Sequence, residues 1–243
     1  MSPERDLVFV GDVHLEPDDP ALPAFLRFLE RIGREADRVV LMGDLFTVWV
    51  GDRALEQPHQ SAVIDRLAAL RGAGVRVSYL EGNRDYRIGG RYVGLAFDEA
   101  TDRGIVELAG PRSLFAIHGD LANPADRLYR MWRGVSRSRV AWAALSALPH
   151  HVRRRLVDVA ERRLRGANLG FKGAFPEAVV RAYAAPLLAD GHDAVVLGHF
   201  HVERDLAVGA GGRTGRILVL PEWRDSRRHL RARPLGEVEF VDS

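Results

Sequence analysis

Polar residues, most of them of types that bind metals in other proteins, follow five apolar segments of this sequence. They are Asp12 with His14, Asp44, Asn83 with Arg84, His118, and His199 with His201. Each set comes directly after an apolar run that is typical of a buried strand. In open α/β sheets the carboxyl ends of the strands form the site, so we expect these side chains to meet at one sheet edge. A turn would explain a single Gly-Asp equally well. Five such strand ends predict a functional site.

The ligand types limit the chemistry of that site. The chain contains no cysteine, which excludes disulfides, an Fe–S cluster and a thiol nucleophile. A metal must therefore be held by oxygen and nitrogen donors, a set that suits Mn²⁺, Fe²⁺ or Zn²⁺. Side chains alternate along an extended strand, so Asp12 and His14 are expected on one side of the chain, as are His199 and His201.

The elements that must position these residues begin in a β-α-β-α-β order. The predicted strands cover 7–10, 39–44, 75–80, 105–108, 113–117, 194–197, 216–220, 229–232 and 237–241, and the predicted helices cover 20–36, 59–70, a piece near 91–100, 123–164 with a break at Pro149, and 176–189. Alternating strands and helices predict parallel strands with helical crossovers. The strands at 105–108 and 113–117 are expected to form a hairpin, and the three in the tail are expected to be antiparallel.

The length of 243 residues, with 47% apolar and 28% charged residues, fits one globular domain, residues 1–243. An insertion is expected at 121–175, where twelve Lys/Arg face three acids, so the insertion carries +9 and the remainder −7 of the net +2. This charge favours an anionic partner, namely a lipid surface, a phosphorylated substrate or a nucleic acid. A solvated arginine-rich helix face is the alternative. We expect no signal peptide and no membrane span, although the protein could lie on a membrane.

The five blocks resemble the calcineurin-like metallophosphoesterase superfamily. They read Asp12-Val-His14, Gly43-Asp44, Gly82-Asn83-Arg84-Asp85, His118-Gly119-Asp120 and Gly198-His199-Phe-His201, and the resemblance runs from residue 8 to about 201. It implies an α/β fold in which mixed β-sheets are flanked by helices as an αββα sandwich, with the insertion as a helical cap.

The resemblance also implies a site with two divalent metal ions, which we expect to be Mn²⁺. One ion would be held by Asp12, His14, Asp44 and His201, and the other by Asp44, Asn83, His118 and His199. Asp44 would bridge the pair, and Asp44, Arg84 and His199 are assigned catalytic roles. Two such ions clamp a phosphoryl oxygen and activate a water for attack.

The residue at position 84 limits the class of substrate. Much of the superfamily has Gly-Asn-His in this block, and that histidine can protonate an alkoxide leaving group, whereas this chain has Arg84. An arginine stays charged but clamps phosphate well. The substitution therefore predicts a leaving group that needs no proton, as in a pyrophosphate bond. Alternatively, Arg84 braces the metal loop by pairing with an acid.

Further motifs look like those of the UDP-2,3-diacylglucosamine pyrophosphatase family of lipid A biosynthesis. They are Asp44-Leu45-Phe46-x-x-Trp49-x-Gly51-Asp52, Phe25-Leu26-Arg27-Phe28-Leu29, and Gly89-x-Arg91-Tyr92. The resemblance implies hydrolysis of UDP-2,3-diacylglucosamine to UMP and 2,3-diacylglucosamine 1-phosphate (lipid X). The chain departs from the family after His201, where Val-Glu-Arg replaces Arg-Pro, and at Pro221-Glu222-Trp223, where Gly-Asp-Trp is usual.

The insertion is expected to contact the substrate. In the family this cap holds the acyl chains, and here Leu128, Met131, Trp132 and Val135 fall on one helical side while 140–148 is apolar all round. Mutual packing of two cap helices is the alternative. The substrate-binding set that we predict is Asn83, Arg84, Asp126, Tyr129, Asn168, Lys172 and His199. Lys172 is included because it is the only lysine among 35 Lys and Arg residues.

The predicted partners are a UDP-linked diacylated glucosamine and an anionic membrane surface. The expected location is cytoplasmic, peripheral to the inner membrane, as a monomer without nucleic acid. Two alternatives stay open. One is a nucleotide or nucleic-acid phosphodiesterase that uses the basic cap, and the other is a non-catalytic scaffold on the same fold.

Overall fold

The helices and strands of a computed structural model, which describes residues 5–165, 175–210 and 212–243, alternate through most of the chain. In chain order they are β1 (Asp6–Val10), α1 (Leu22–Glu35), β2 (Ala36–Leu41), β3 (Trp49–Val50), α2 (Pro58–Gly72), β4 (Arg76–Leu80), β5 (Asp85–Tyr86), α3 (Gly89–Tyr92), β6 (Glu99–Thr101), β7 (Ile105–Ala109), β8 (Arg112–Ile117), α4 (Arg127–Ser136), α5 (Arg139–Ser146), α6 (His150–Arg165), α7 (Glu177–Ala189), β9 (Ala194–Leu197), β10 (Arg204–Ala210), β11 (Arg213–Val219), α8 (Trp223–Ser226), β12 (Arg228–Ala232) and β13 (Val238–Asp242).

Two mixed sheets carry the fold. The first has the strand order β13-β12-β1-β2-β4-β6, in which β1, β2, β4 and β6 are parallel. The second has the order β10-β11-β9-β8-β7, in which β11, β9 and β8 are parallel. The parallel strands place the carboxyl ends of β1, β2 and β4, and likewise those of β8 and β9, on common sheet edges.

Alternation along the strands builds three apolar layers. Leu7 and Phe9 of β1 pack between the two sheets, while Val8 and Val10 pack with α1 and α2 on the outer face. Helix α7 covers the outer face of the second sheet through residues spaced by four, among them Val180. Burying each large apolar side chain contributes about 1.5–3 kcal/mol. The result is the αββα sandwich that the resemblance implied.

The order of the early strands and the hairpin at 105–117 confirm the predictions, but three details were wrong. The helix expected near 91–100 is the four-residue α3, after which the chain enters β6 beside β4. Strand β10 was not predicted. Strand β11 pairs in parallel with β9 and lies in the second sheet, whereas β12 and β13 lie in the first. The apolar pattern identifies strands but not their partners, because pairing depends on distant segments.

The segment predicted to be an insertion contains three helices, α4, α5 and α6, within residues 127–165. Their breaks fall at 137–138 and at 147–149, so Pro149 marks only the second one. Within the described residues, no helix is long and apolar enough to cross a membrane. The boundaries 121–175 stay a prediction.

Candidate metal centre

All seven predicted ligands lie just past the carboxyl ends of strands from both sheets. Strands β1, β2, β4, β8 and β9 lead respectively to Asp12 and His14, to Asp44, to Asn83, to His118, and to His199 and His201. Most of them are buried. Donor atoms of Asp12, His14 and His201 lie within 4.8 Å of one another, and so do those of Asp12, Asp44 and His118. The strand ends therefore bring together the side chains that the sequence singled out.

The first cluster places two imidazoles against one carboxylate. Nε2 of His14 lies 3.1 Å from Nε2 of His201, and Oδ1 of Asp12 lies 3.9 Å from the first and 3.5 Å from the second. This Oδ1 is buried without a hydrogen-bond partner, which is costly unless a cation or proton compensates it. The three atoms converge as ligands of one cation would.

The second cluster is centred on the amide oxygen of Asn83. That Oδ1 lies 3.1 Å from Nε2 of His118 and 2.9 Å from Nδ1 of His199. Nδ1 of His118 donates to the carbonyl of Met42 at 2.7 Å, because a carbonyl can only accept. In a neutral His118 the lone pair of Nε2 therefore faces Oδ1 of Asn83, which is also an acceptor. A proton or a metal ion must lie between these two atoms.

The electrostatics of the cluster favour a cation. Burial lowers the pKa of His118, but the charges of Asp44, Asp12 and Asp120 outweigh it and raise that pKa to about 9. Burial and the neighbouring His118 lower the pKa of His199 to about 4. The carboxylates thus favour the protonated form of His118, and a divalent ion would displace that proton.

Asp44 lies between the two clusters. Its Oδ1 accepts from the backbone N–H of Arg84 at 2.9 Å, and its Oδ2 lies 3.9 Å from Nε2 of His118. Burial raises the pKa of Asp44, and the charge of Asp12 adds to this rise against the opposing charge of His118. A carboxylate that neighbours both clusters suits the bridging role. The donor set and its buried, electronegative surroundings fit two divalent cations.

Five of these residues have left-handed backbone. The φ angles are 50° at Asp12, 49° at His14, 52° at Asp44, 69° at His199 and 55° at His201. The expectation of extended segments at Asp12–His14 and His199–His201 was therefore wrong. Such conformations cost of order 1–3 kcal/mol each and concentrate at functional sites. Here they turn the side chains of sharp loops toward one centre.

The glycine at position 82 leaves room for that centre. A Cβ there would lie 2.2 Å from Oδ1 of Asp44 and 2.8 Å from Cε1 of His118. No side chain fits without displacing both predicted ligands. Gly82 thus allows the loop after β4 to approach the loops after β2 and β8.

Arg84 lies under the centre. Its Nε is 3.7 Å from Oδ2 of Asp44, and its Nη1 donates to the carbonyl of Leu164 in α6 at 3.3 Å. The side chain is 8% exposed. The guanidinium therefore contacts both the loop after β2 and the end of α6, and its position is compatible with either of the roles that the sequence predicted.

Sequence reasoning missed residues that hold the ligands in place. Oδ2 of Asp85 accepts from the N–H groups of Asp44 (3.0 Å) and Gly82 (2.8 Å) and from the hydroxyl of Tyr79 (2.8 Å). Burial and the charge of Asp44 raise the pKa of Asp85 to about 7. Glu222, at the place where the family usually has Asp, lies 3.7 Å from Nδ1 of His201. Asp85 stands in the quoted motif, so its signal was present but was not assigned a role.

The predicted substrate contacts of the insertion differ in their placement. The side chain of Asp126 caps α4 by accepting from the backbone of Tyr129 at 3.0 Å, and the hydroxyl of Tyr129 donates to Asp120. Asn168 and Lys172 lie outside the described residues.

Asp52 pairs with Arg153 and thereby fastens α6 to the segment after β3.

A buried set of carboxylate, imidazole and amide donors at the sheet edge of an αββα sandwich defines a metal-dependent phosphoesterase. A family model described as calcineurin-like phosphoesterase matches residues 6–203, and the chain belongs to that family of hydrolases. A UDP-2,3-diacylglucosamine hydrolase of Stenotrophomonas maltophilia is 31% identical over 92% of this chain and 93% of its own length. A protein of the same name from Ralstonia nicotianae is 35% identical over 76% of this chain and 75% of its own. A comparison with a solved archaeal phosphodiesterase gives a TM-score of 0.48 and 12% identity, covering 97% of this chain and 98% of that chain.

Proposed function

We propose that this hydrolase cleaves the pyrophosphate bond of UDP-2,3-diacylglucosamine to UMP and 2,3-diacylglucosamine 1-phosphate, with two Mn²⁺ ions. The observation that carries the proposal is the position of Arg84 beside Asp44, where much of the superfamily has a histidine. The names of the relatives, which match most of this chain, support the same substrate.

The seven predicted ligands would hold the metals, with Asp44 shared. When bound, two divalent ions supply Lewis-acid polarisation of the phosphoryl group and a hydroxide nucleophile at neutral pH. His118 keeps Nε2 directed at the centre because its Nδ1 is fixed by Met42. Asp85 fixes the backbone of Asp44 and Gly82. These contacts set the geometry before substrate binds.

Arg84 supports a pyrophosphate rather than an alkyl diester. A guanidinium stays charged at all physiological pH values and cannot serve as a general acid. A sugar phosphate, however, leaves as an anion that requires no proton. The buried guanidinium of Arg84 stabilises charge on such phosphates without proton transfer, because charge-assisted hydrogen bonds strengthen as negative charge develops.

The apolar face of α4 and α5 supports an acylated substrate. Leu128 is 73% exposed and Val140 is 79% exposed, and Met131, Trp132 and Val135 are also exposed. Such a cluster on a surface is typical of a binding region. The opposite face of α4 contacts the loop after β8 through Tyr129, so the apolar face belongs to a helix that touches the centre.

The charge of the helical segment supports peripheral binding to an anionic membrane. Arg127 and Arg130 are exposed on α4, which carries most of the exposed apolar residues, and Arg155, Arg162 and Arg163 are exposed on α6. Arginines attract anionic lipid while apolar side chains enter the interface. This arrangement favours association with a membrane surface, and we propose that the protein is a cytoplasmic monomer bound to it. Cosedimentation with phosphatidylglycerol vesicles but not with phosphatidylcholine vesicles is the expected result, and equal sedimentation with both would contradict the electrostatic part.

The deciding assay measures UMP release from UDP-2,3-diacylglucosamine by metal-free protein with and without added Mn²⁺. We expect release only with the metal, and loss of release in Asp44→Ala. Arg233→Gln, in a distant ion pair with Glu239, is the matched control and should retain activity. Absence of UMP release both with and without Mn²⁺ would rule out the proposed substrate. Faster turnover of bis-p-nitrophenyl phosphate or cyclic nucleotides would favour the phosphodiesterase alternative.

A further inference from the structure

Three side chains of α4 and its C-terminal cap form a stripe that faces the metal loops. Tyr129, Arg133 and Arg137 are spaced by four residues and therefore lie on one side of the helix. All three make polar contacts with loops from the two sheets. Two of them are the arginines that the sequence suggested only as part of a basic surface.

Arg133 and Tyr129 hold the loop after β8. Nε of Arg133 donates to Oδ2 of Asp120 at 2.8 Å, and the Tyr129 hydroxyl donates to the same oxygen. Nη1 of Arg133 also lies 3.3 Å from Oδ2 of Asp102, just past β6. Asp120 stands two residues after His118, so this pair fixes the backbone that carries a predicted ligand.

Arg137 holds the loop after β4. Its Nη2 donates to the carbonyl of Gly82 and, at 3.1 Å, to that of Asp85. Its Nη1 lies 3.3 Å from Oδ2 of Asp102 and 3.5 Å from Oε2 of Glu81. The two carbonyls bracket the dipeptide Asn83-Arg84. One guanidinium, only 11% exposed, thus closes the loop that carries both.

The planar fork of arginine is required for this set of contacts. A guanidinium presents several N–H donors in one plane, so it can donate to two carbonyls with one nitrogen and to carboxylates with the other. An ammonium group has one nitrogen and cannot span these acceptors. Asp102 joins both arginines, and the stripe therefore connects the loops after β4, β6 and β8.

We infer that Arg137 is a positioning residue for the metal centre, and that through it α4 sets the distance between Asn83 and His118. The hydrogen bonds and ion pairs of Arg137 involve no side chain of a predicted ligand among the described residues, and Arg137 acts through the backbone of residues 82–85. We call the site of Asp44, Asn83, His118 and His199 the second metal position. If a ligand bound to the apolar face of α4 and moved this helix, Arg137 would transmit the movement to that position. The inference rests on the proposed metal centre but not on the proposed lipid substrate.

The competing explanation is that Arg137 only fastens α4 to the sheets. The two explanations differ in what they predict for metal affinity. A fastening residue changes the free energy of unfolding, and the folded protein binds metal as before. A positioning residue changes the affinity of the second metal and kcat, typically by 10–100-fold when outer contacts of ligands are removed.

The experiment titrates metal-free protein with Mn²⁺ by calorimetry and measures kcat and KM on bis-p-nitrophenyl phosphate. In Arg137→Gln we expect the second Mn²⁺ to bind about tenfold or more weakly and kcat to fall by a similar factor, with the first Mn²⁺ and KM less affected. Arg137→Lys should not restore the affinity for the second Mn²⁺. If the glutamine variant does not fold, the lysine variant provides the test. The matched control Arg139→Gln, an exposed arginine two residues on, should behave as wild type.

Wild-type metal affinity and kcat in folded Arg137→Gln or Arg137→Lys would overturn the inference and leave a fastening role. These outcomes are separable from failure of the proposed function. If the wild type binds Mn²⁺ and cleaves the model diester but releases no UMP from the lipid substrate, the substrate is wrong and Arg137 is still tested. If the wild type binds no divalent ion, the metal centre itself is wrong.

Discussion

Nε2 of His118 and Oδ1 of Asn83 lie 3.1 Å apart, while Nδ1 of His118 donates to Met42 at 2.7 Å. The backbone carbonyl fixes the tautomer, so two electron-pair donors from different sheets face each other in a buried space. The two sheets thus meet through atoms that attract each other only when a cation or a proton lies between them.

Metal binding should stabilise the fold through this contact. We expect a chelator to lower Tm and Mn²⁺ to restore it, since a ligand at about 100 times its Kd adds about 2.7 kcal/mol. Differential scanning fluorimetry with metal analysis checks the effect. Asn83→Ala should reduce the Mn²⁺-dependent rise in Tm, and an unchanged rise would show that Asn83 is not a ligand.

Gly82→Ala should remove the second metal position. The added Cβ would lie 2.2 Å from Oδ1 of Asp44, so one of the two loops must move. We expect at least one Mn²⁺ per chain to be lost in calorimetric titration. The control is Gly134→Ala in the last turn of α4, where a Cβ meets nothing within 4 Å. It should raise stability by about 0.5–1 kcal/mol and leave binding unchanged.

The ligands were predictable because local patterns identify them. An apolar run such as 39–42 followed by Gly43-Asp44 indicates a buried strand and a polar strand end, and parallel topology brings such ends together. The left-handed backbone at Asp12 and His14 was not predictable, since residue type permits it without requiring it. The cost of these conformations is met by contacts among residues distant in the sequence.

The supporting contacts were not predictable for a related reason. Arg137 contacts Gly82 across 55 positions of sequence, and nothing near either residue indicates the other. The same holds for β11, whose apolar pattern predicts a strand but whose partners β9 and β10 depend on tertiary packing. The apolar residues of α4 were identified by helical spacing, and their exposure agrees with a role on the surface.

His229 should make the fold sensitive to acid. It is buried beside Phe28, and burial and the charges of Arg231 and Arg31 lower its pKa from the ordinary 6.5 of histidine to about 3. The unfolded chain therefore binds a proton below pH 6.5 that the folded chain does not. Stability should fall with decreasing pH between those values, by about 1.4 kcal/mol per pH unit at most.

The measurement is urea unfolding between pH 4 and 7, a range that covers most of the window from about 3 to 6.5 set by the shift of His229. In His229→Asn the free energy of unfolding should depend less steeply on pH than in the wild type. We expect this even if the variant is less stable at pH 7. The control His151→Asn replaces an exposed histidine on α6 and should keep the wild-type slope. Identical slopes in His229→Asn and wild type would show that His229 does not remain neutral in the fold.

Arg84 provides the test of substrate preference. In Arg84→His we expect UMP release from the pyrophosphate substrate to fall by about 100-fold, corresponding to about 3 kcal/mol, because a charged donor next to Asp44 is lost. Turnover of a diester with a poor alkoxide leaving group should rise relative to the pyrophosphate, since an imidazole can donate a proton. Arg84→Lys keeps the charge without the fork and should fall between the two.

Arg103→His is the matched control, because it makes the same replacement at an exposed turn. Both activities should remain at the wild-type level in that variant. Steady-state assays of the two substrates at saturating Mn²⁺ give the ratio of kcat/KM for each protein. If Arg84→His lowers both activities equally, Arg84 only braces the loop after β4 through Asp44 and Leu164, and the pyrophosphate preference must come from other residues.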